Sequence, residues 1–285
     1  MLQLFIKNVK QLYLCTRIYI VASYTFKTTM SKLNAQDKFL DLSDYGRPIG
    51  KLFANQVSNT FITPIHVTLL FGICGLIAIY CILIGNYWGA SFFIILKSII
   101  DAADGELARI NKTPSYTGRY LDSVFDIILN FLIFMTIAYV TKSSFLYAFF
   151  AFFGVQLQGT LYNYYYVILR NSSEGGDKTS KIFEHESPIA LPGEGQRSVD
   201  ILFSIYYLVY GFFDKIIHVL DPEAFKVKKF PSWFMTLISI YGLGFQLLII
   251  AFMLPMNLIQ YIVPFFIVYS FFIIILISIR KIKII

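Results

Sequence analysis

Four aspartates, Asp101, Asp104, Asp122 and Asp126, bracket the stretch DAADGELARINKTPSYTGRYLDSVFD. On a helix, positions three or four apart share a face. Asp101 and Asp104 therefore point one way from one helix, and Asp122 and Asp126 point one way from the next. The short loop between the helices makes them antiparallel neighbours, so the four carboxylates converge. Such a cluster is costly. Like charges 4 Å apart repel by about 4 kcal/mol at an effective dielectric near 20, and an Asp at the centre of a bilayer helix costs about 2.5–3.5 kcal/mol. Divalent cations remove both costs. Hard oxygen ligands select Mg2+ or Mn2+ over softer metals, and four carboxylates suffice to bridge two ions, the arrangement that serves phosphoryl chemistry. The neighbouring residues suit a phosphate. Gly105 removes a side chain beside Asp104, Ala108 is small, and Arg109 places a guanidinium at the membrane surface. Gly118 permits close packing where the second helix begins. Lys97, one turn before Asp101, stands where it can pair with a site carboxylate.

Two other readings compete. A salt-bridged interhelical cluster needs about as many bases as acids, and Lys97, Arg109 and Arg119 come close to that count. An ion pathway also places acids within a membrane. Its acids, however, are usually scattered over several helices, whereas these sit in one hairpin at one membrane face.

The elements that must position this hairpin are those of an all-α, polytopic membrane bundle. The chain is 57% hydrophobic and only 14% charged, against about 25% charged in a soluble domain. Six apolar runs, at 61–84, 88–108, 119–141, 144–168, 232–254 and 258–280, are long enough to span the hydrocarbon core. Before them, Leu42–Asn59 reads as an amphipathic interfacial helix. Leu42, Tyr45, Ile49, Leu52, Phe53 and Val57 recur at helical spacing, with Arg47 and Lys51 between them. Residues 171–199 form a polar loop with turns at Gly175–Gly176 and Pro192–Gly193. The following stretch, 199–220, is apolar but carries Asp200, Asp214 and Lys215. With six spans, Lys142 is the only one of the 24 Lys and Arg residues in a loop on the far side. A seventh span would carry Arg280, Lys281 and Lys283 across, so 199–220 is expected to be a surface-lying or re-entrant helix.

The net charge of +7 is then anchoring to anionic lipid on the cytoplasmic side, not nucleic-acid binding. Residues 1–41 are an N-terminal segment without a clear role: either a surface helix or a leader to a start at Met30. Residues 42–285 form the membrane domain, with an insertion at 171–230. Cys15, Cys74 and Cys81 fit no metal or disulfide pattern. Gln156, Gln158, Asn163 and Gln246 are expected to form interhelical hydrogen bonds, and Tyr162–Tyr166 an aromatic belt. Arg170, Lys178, Lys181 and Arg197 are a basic patch on the site's side.

The pattern D-x-x-D-G-x-x-A-R-x8-G-x3-D-x3-D resembles the signature of the CDP-alcohol phosphotransferases. All eight fixed positions are present: Asp101, Asp104, Gly105, Ala108, Arg109, Gly118, Asp122 and Asp126. The resemblance extends over about 42–170 and the last two spans; the insertion departs from the compact six-helix pattern. It implies that Asp101, Asp104, Asp122 and Asp126 bind two Mg2+ or Mn2+ ions and that Asp126 is also the general base. Gly105, Arg109 and Ser115 would hold the CDP moiety, with Thr68 at the start of the first span. In Pro64-Ile65-His66-Val67-Thr68, Ile65 stands where the family has Asn, so that part of the cytidine site would differ. The implied reaction transfers a phosphatidyl group from CDP-diacylglycerol to a small polar alcohol, releasing CMP, in phospholipid biosynthesis. The runner-up is a CDP-choline or CDP-ethanolamine phosphotransferase acting on diacylglycerol; a transporter or inactive scaffold is the alternative of another class. The resemblance also implies a homodimer.

Overall fold

The computed structural model describes residue 33 and residues 37–172, 184–227 and 229–283. The expectations placed on Met1–Met30, and on Lys178 and Lys181, lie outside these. All regular structure in the described residues is helical. A 3-10 turn at Leu42–Asp44 precedes α1 (Arg47–Val57), followed by α2 (Pro64–Leu83), α3 (Tyr87–Ile110), α4 (Tyr116–Thr141) and α5 (Phe145–Ser172). After the polar loop come α6 (Gln196–Leu220), α7 (Ser232–Ile238), α8 (Leu243–Met253), α9 (Ile259–Ser270) and α10 (Phe272–Lys283).

Local chemistry sets the boundaries of the helices that matter here. Thr63 caps α2 with Pro64 at its first position, and the Thr63 N–H donates to His66 Nδ1, completing a capping box. His66 is thus a capping residue. Asn86 caps α3 by accepting from the Gly89 N–H at 3.0 Å. Ser115 caps α4 by accepting from the Gly118 N–H at 2.8 Å. Lys142, in the left-handed region at φ 54°, ends α4.

Helices α2, α4, α5, α6 and the α9–α10 pair are long and apolar enough to cross a membrane, and α7–α8 is a sixth candidate bent by 52°. Helix α3 has 24 residues, about 36 Å at 1.5 Å per residue, ample for a crossing. Its Lys97, Asp101, Asp104 and Glu106 make it more polar than the others. The chain is a multi-pass membrane protein, and its helices fall on the six apolar runs.

Helix α6 also has the length and apolarity to cross, yet its contacts favour the oblique course read from the charge bias. Just before its start, Glu194 binds the first residues of α4. At its end, Asp221 binds Tyr164 and Tyr165 in the last third of α5 and Arg280 in the final turn of α10. In an up-and-down count of six spans, the start of α4 and the ends of α5 and α10 lie on one face. Both ends of α6 meet that face.

Helix α1 lies against α3 because two glycines let it. A Cβ at Gly50 would sit 2.8 Å from the Ile99 carbonyl oxygen and 3.0 Å from the Ala103 nitrogen, closer than any real side chain tolerates. Its other side leaves Ile49 and Leu52 exposed, as an interfacial helix requires. Among the polar residues of the spans, Gln246 donates to Gln158 at 2.9 Å and Gln158 to Ser270 at 2.9 Å, the interhelical bonding expected of them. The tyrosine cluster differs from a simple belt: Tyr162 donates to Asp41 at 2.5 Å and Tyr165 to Asp221 at 2.7 Å. Asp221 is buried and Asp41 partly so; a phenol in a packed interior needs such a partner.

Candidate metal and substrate centre

Helices α3 and α4, joined by five residues and each packed against α2, bring carboxylates of the two aspartate faces together. Carboxylate oxygens of Asp101, Asp122 and Asp126 lie within 4.8 Å of one another. Asp104 is buried on the same face of α3 as Asp101 and accepts a hydrogen bond from Thr68 Oγ1 at 2.9 Å. That threonine lies one turn inside α2, so a third helix closes the site. Thr68 shares its proton with the Pro64 carbonyl at 3.1 Å.

Lys97 is 1% exposed and makes an ion pair with Asp126. Its ammonium also lies 5.1 Å from the centroid of the Phe71 ring. This buried ammonium is paired with Asp126. Asp122 Oδ1 is buried with no hydrogen-bond partner, which is costly unless a ligand satisfies it. An excess of hard anionic oxygens, one of them orphaned, fits divalent metal. The salt-bridged alternative falters on the same count. Of the three bases that could have balanced the aspartates, Arg109 pairs with Glu106 at 2.8 Å and Arg119 with Glu184 at 2.6 Å.

Gly105 and Arg109 form the flank of the centre. A Cβ at Gly105 would sit 3.5 Å from the Arg109 guanidinium, an ordinary contact distance, so the arginine lies over the glycine. Arg109 Nε is buried without a partner. Glu106 is buried and holds Arg109 and Arg47 on the same oxygen, each at 2.8 Å. Arg47 belongs to α1 and also pairs with Asp44, so the interfacial helix reaches Arg109 through one carboxylate. The i,i+3 spacing of Glu106 and Arg109 was a signal available in the sequence; the long-range bond to Arg47 had none.

Ser115 stands apart. It is seven residues before Asp122, about 10 Å along α4 at 1.5 Å per residue. Its hydroxyl donates to Glu194 Oε1 at 2.7 Å while accepting from the Gly118 N–H. Arg170 is buried with its guanidinium 5.8 Å from the Tyr166 ring, whereas Arg197 is exposed; the expected basic patch is split accordingly.

A bundle of membrane-crossing helices with a carboxylate centre built on one hairpin defines a class of membrane enzyme. Residues 61–182 match the family model CDP-alcohol phosphatidyltransferase. No curated protein matches the chain in sequence.

Proposed function

We propose that the protein transfers a phosphatidyl group from CDP-diacylglycerol to a small polar alcohol and releases CMP. The observation that carries this reading is the cluster of Asp101, Asp122 and Asp126 within 4.8 Å, with the orphaned Asp122 oxygen. Asp101, Asp104, Asp122 and Asp126 would hold two Mg2+ or Mn2+ ions. When bound, such ions neutralise charge on a pyrophosphate and on its leaving group. Gly105 leaves room for the diphosphate, and Arg109 grips it. Thr68 fixes the orientation of Asp104, and Ser115 lies at the outer end of the CDP site.

Asp126 is the general base. It takes the proton of the acceptor hydroxyl, whose oxygen forms a bond to the β-phosphorus as the bond from that phosphorus to CMP breaks. The Lys97 ammonium, ion-paired with Asp126, aims its carboxylate. The site faces the cytoplasm, where the basic loops gather. The homodimer rests on the family resemblance.

The test is CMP release by detergent-purified protein, with Mg2+ or Mn2+ and a panel of serine, inositol, inositol phosphate, glycerol phosphate and phosphatidylglycerol. Metal-dependent release with one alcohol, absent in Asp126→Asn, is the expected result. Turnover of CDP-choline or CDP-ethanolamine with diacylglycerol instead would reverse the donor. Silence with both donor classes in well-folded protein would sink the assignment.

A further inference from the structure

The stretch between α5 and α7 lies almost wholly beyond the family match, which ends at residue 182. It is nevertheless fastened to α4 at three successive places. Glu194 accepts from Ser115 Oγ at 2.7 Å, from the Tyr116 N–H at 3.1 Å and from the Thr117 N–H at 2.7 Å. Next along the helix, Arg119 Nη2 and the Tyr120 hydroxyl both donate to Glu184 Oε2, at 2.6 and 2.7 Å. Then the Tyr210 hydroxyl of α6 donates to the Ser123 carbonyl at 3.1 Å.

These holds fall at residues 115–117, 119–120 and 123, in the same turns that present Asp122 and immediately before Asp126. The first N–H groups of a helix have no partner within it, and a carboxylate there also complements the helix dipole. Glu194 meets both needs with one side chain. Tyr120 is fully buried against Phe203 and Tyr206 of α6, so the polar holds sit on a packed apolar base. A functional constellation must be kept within about 0.5 Å of its working geometry by groups that lock its supports, and small rotations of α4 would move Asp122 and Asp126 away from Asp101.

We propose that Glu184 and Glu194 are positioning residues for the carboxylate centre: they clamp the first turns of α4 so that Asp122 and Asp126 meet Asp101 at metal-binding separation. The residues after 182 are thereby part of the working site without touching its substrates. This rests on the metal-centre reading above.

Mn2+ binding to purified protein in detergent, followed by the electron paramagnetic resonance signal of free Mn2+ and without substrate, tests it. Wild type is compared with Glu184→Gln/Glu194→Gln and with Glu223→Gln, a control in an exposed pair with Lys226. The double variant is expected to bind Mn2+ about tenfold more weakly, the low end of what supporting groups around a metal contribute, and Glu223→Gln to match wild type. The paired exchange Arg119→Glu/Glu184→Arg should recover affinity relative to Arg119→Glu alone. Unchanged affinity in a double variant that keeps its elution profile would overturn the proposal, even with a lowered melting temperature. Should the double variant lose that profile, Glu194→Gln alone, which leaves the Glu184 holds in place, decides in the same titration. Wild type that binds Mn2+ but releases no CMP would remove the proposed reaction and leave the clamp standing; wild type that binds no Mn2+ would remove both.

Discussion

Two buried charge clusters occupy the bundle, and they are built on opposite principles. In one, Asp221 is wholly buried and Arg280 nearly so. Arg280 Nε donates to the Asp221 carboxylate at 2.8 Å, Tyr165 donates to it at 2.7 Å, and Tyr164 donates to its carbonyl at 3.2 Å. Charge is balanced and the donors are shared out. In the other, Lys97 pairs with Asp126 alone, and an oxygen of Asp122 is left without a partner. The balanced cluster ties the ends of α6 and α10 together; the unbalanced one is set to receive cations. The lesson is that burial of charge does not by itself mark function, whereas an uncompensated sign does.

Breaking each cluster should therefore have different consequences. Asp126→Asn is expected to lower the rate of CMP release by about 10^3-fold, within the range for loss of a general base. It also removes the ion-pair partner of the buried Lys97, so its melting temperature should fall too. Asp221→Asn should touch stability alone. It leaves Arg280 buried without a counter-charge, at a cost of about 3–5 kcal/mol, read as a lowered melting temperature in detergent with unaltered Mn2+ affinity. Equal effects of the two substitutions on metal binding would erase the distinction.

A chelator sharpens the comparison further. EDTA should lower the melting temperature of metal-loaded wild type, and restoring metal to a hundred times its dissociation constant should return about 2.7 kcal/mol. Asp122→Asn is expected to lose most of that response, while Asp221→Asn keeps it. Thr68→Val should act more weakly. It removes a hydrogen bond to a charged group, worth about 1.5–3 kcal/mol, and the loss should appear in metal affinity more than in fold.

The smallest expected effect is a pH dependence outside the membrane. Burial pushes the Glu194 carboxyl up, but hydrogen bonds from Ser115, Thr117 and Tyr116 outweigh it and hold the group below the usual carboxylate range. A lowered folded pKa means that its contribution is fully present above the ordinary carboxylate range and is lost as pH falls through the folded value. Glu194→Gln should flatten the acid limb of the melting-temperature profile and leave the neutral range unchanged in slope.

The hairpin and its four aspartates were legible in the sequence because their information is local. Spacing of three and four residues names the helix faces, and a short loop names the neighbour. The six apolar runs were legible for the same reason. What escaped was contact at a distance. Glu106 to Arg47 spans 59 residues, Thr68 to Asp104 spans 36 and Glu194 to Ser115 spans 79, and no periodicity records such pairings. Gly46 and Gly50 gave no warning that α1 would lie against α3, since a glycine needed for close approach reads like any other until its neighbour is known. The Tyr162–Tyr166 cluster misled in the other direction. Its composition suits an interface, but Asp41 and Asp221 draw two of its hydroxyls inward.

The five-residue join between α3 and α4 has a consequence for biogenesis. Closing so short a loop costs little chain entropy, and contacts of low sequence separation form early. All four aspartates, with Lys97 and Thr68, have been synthesised once the ribosome passes residue 126, whereas Glu184 and Glu194 have yet to be made. The hairpin's acids therefore leave the ribosome ahead of the later residues that brace α4. An early-arriving divalent ion at that stage would act as a folding ligand, neutralising the acids while the rest of the bundle is assembled around them.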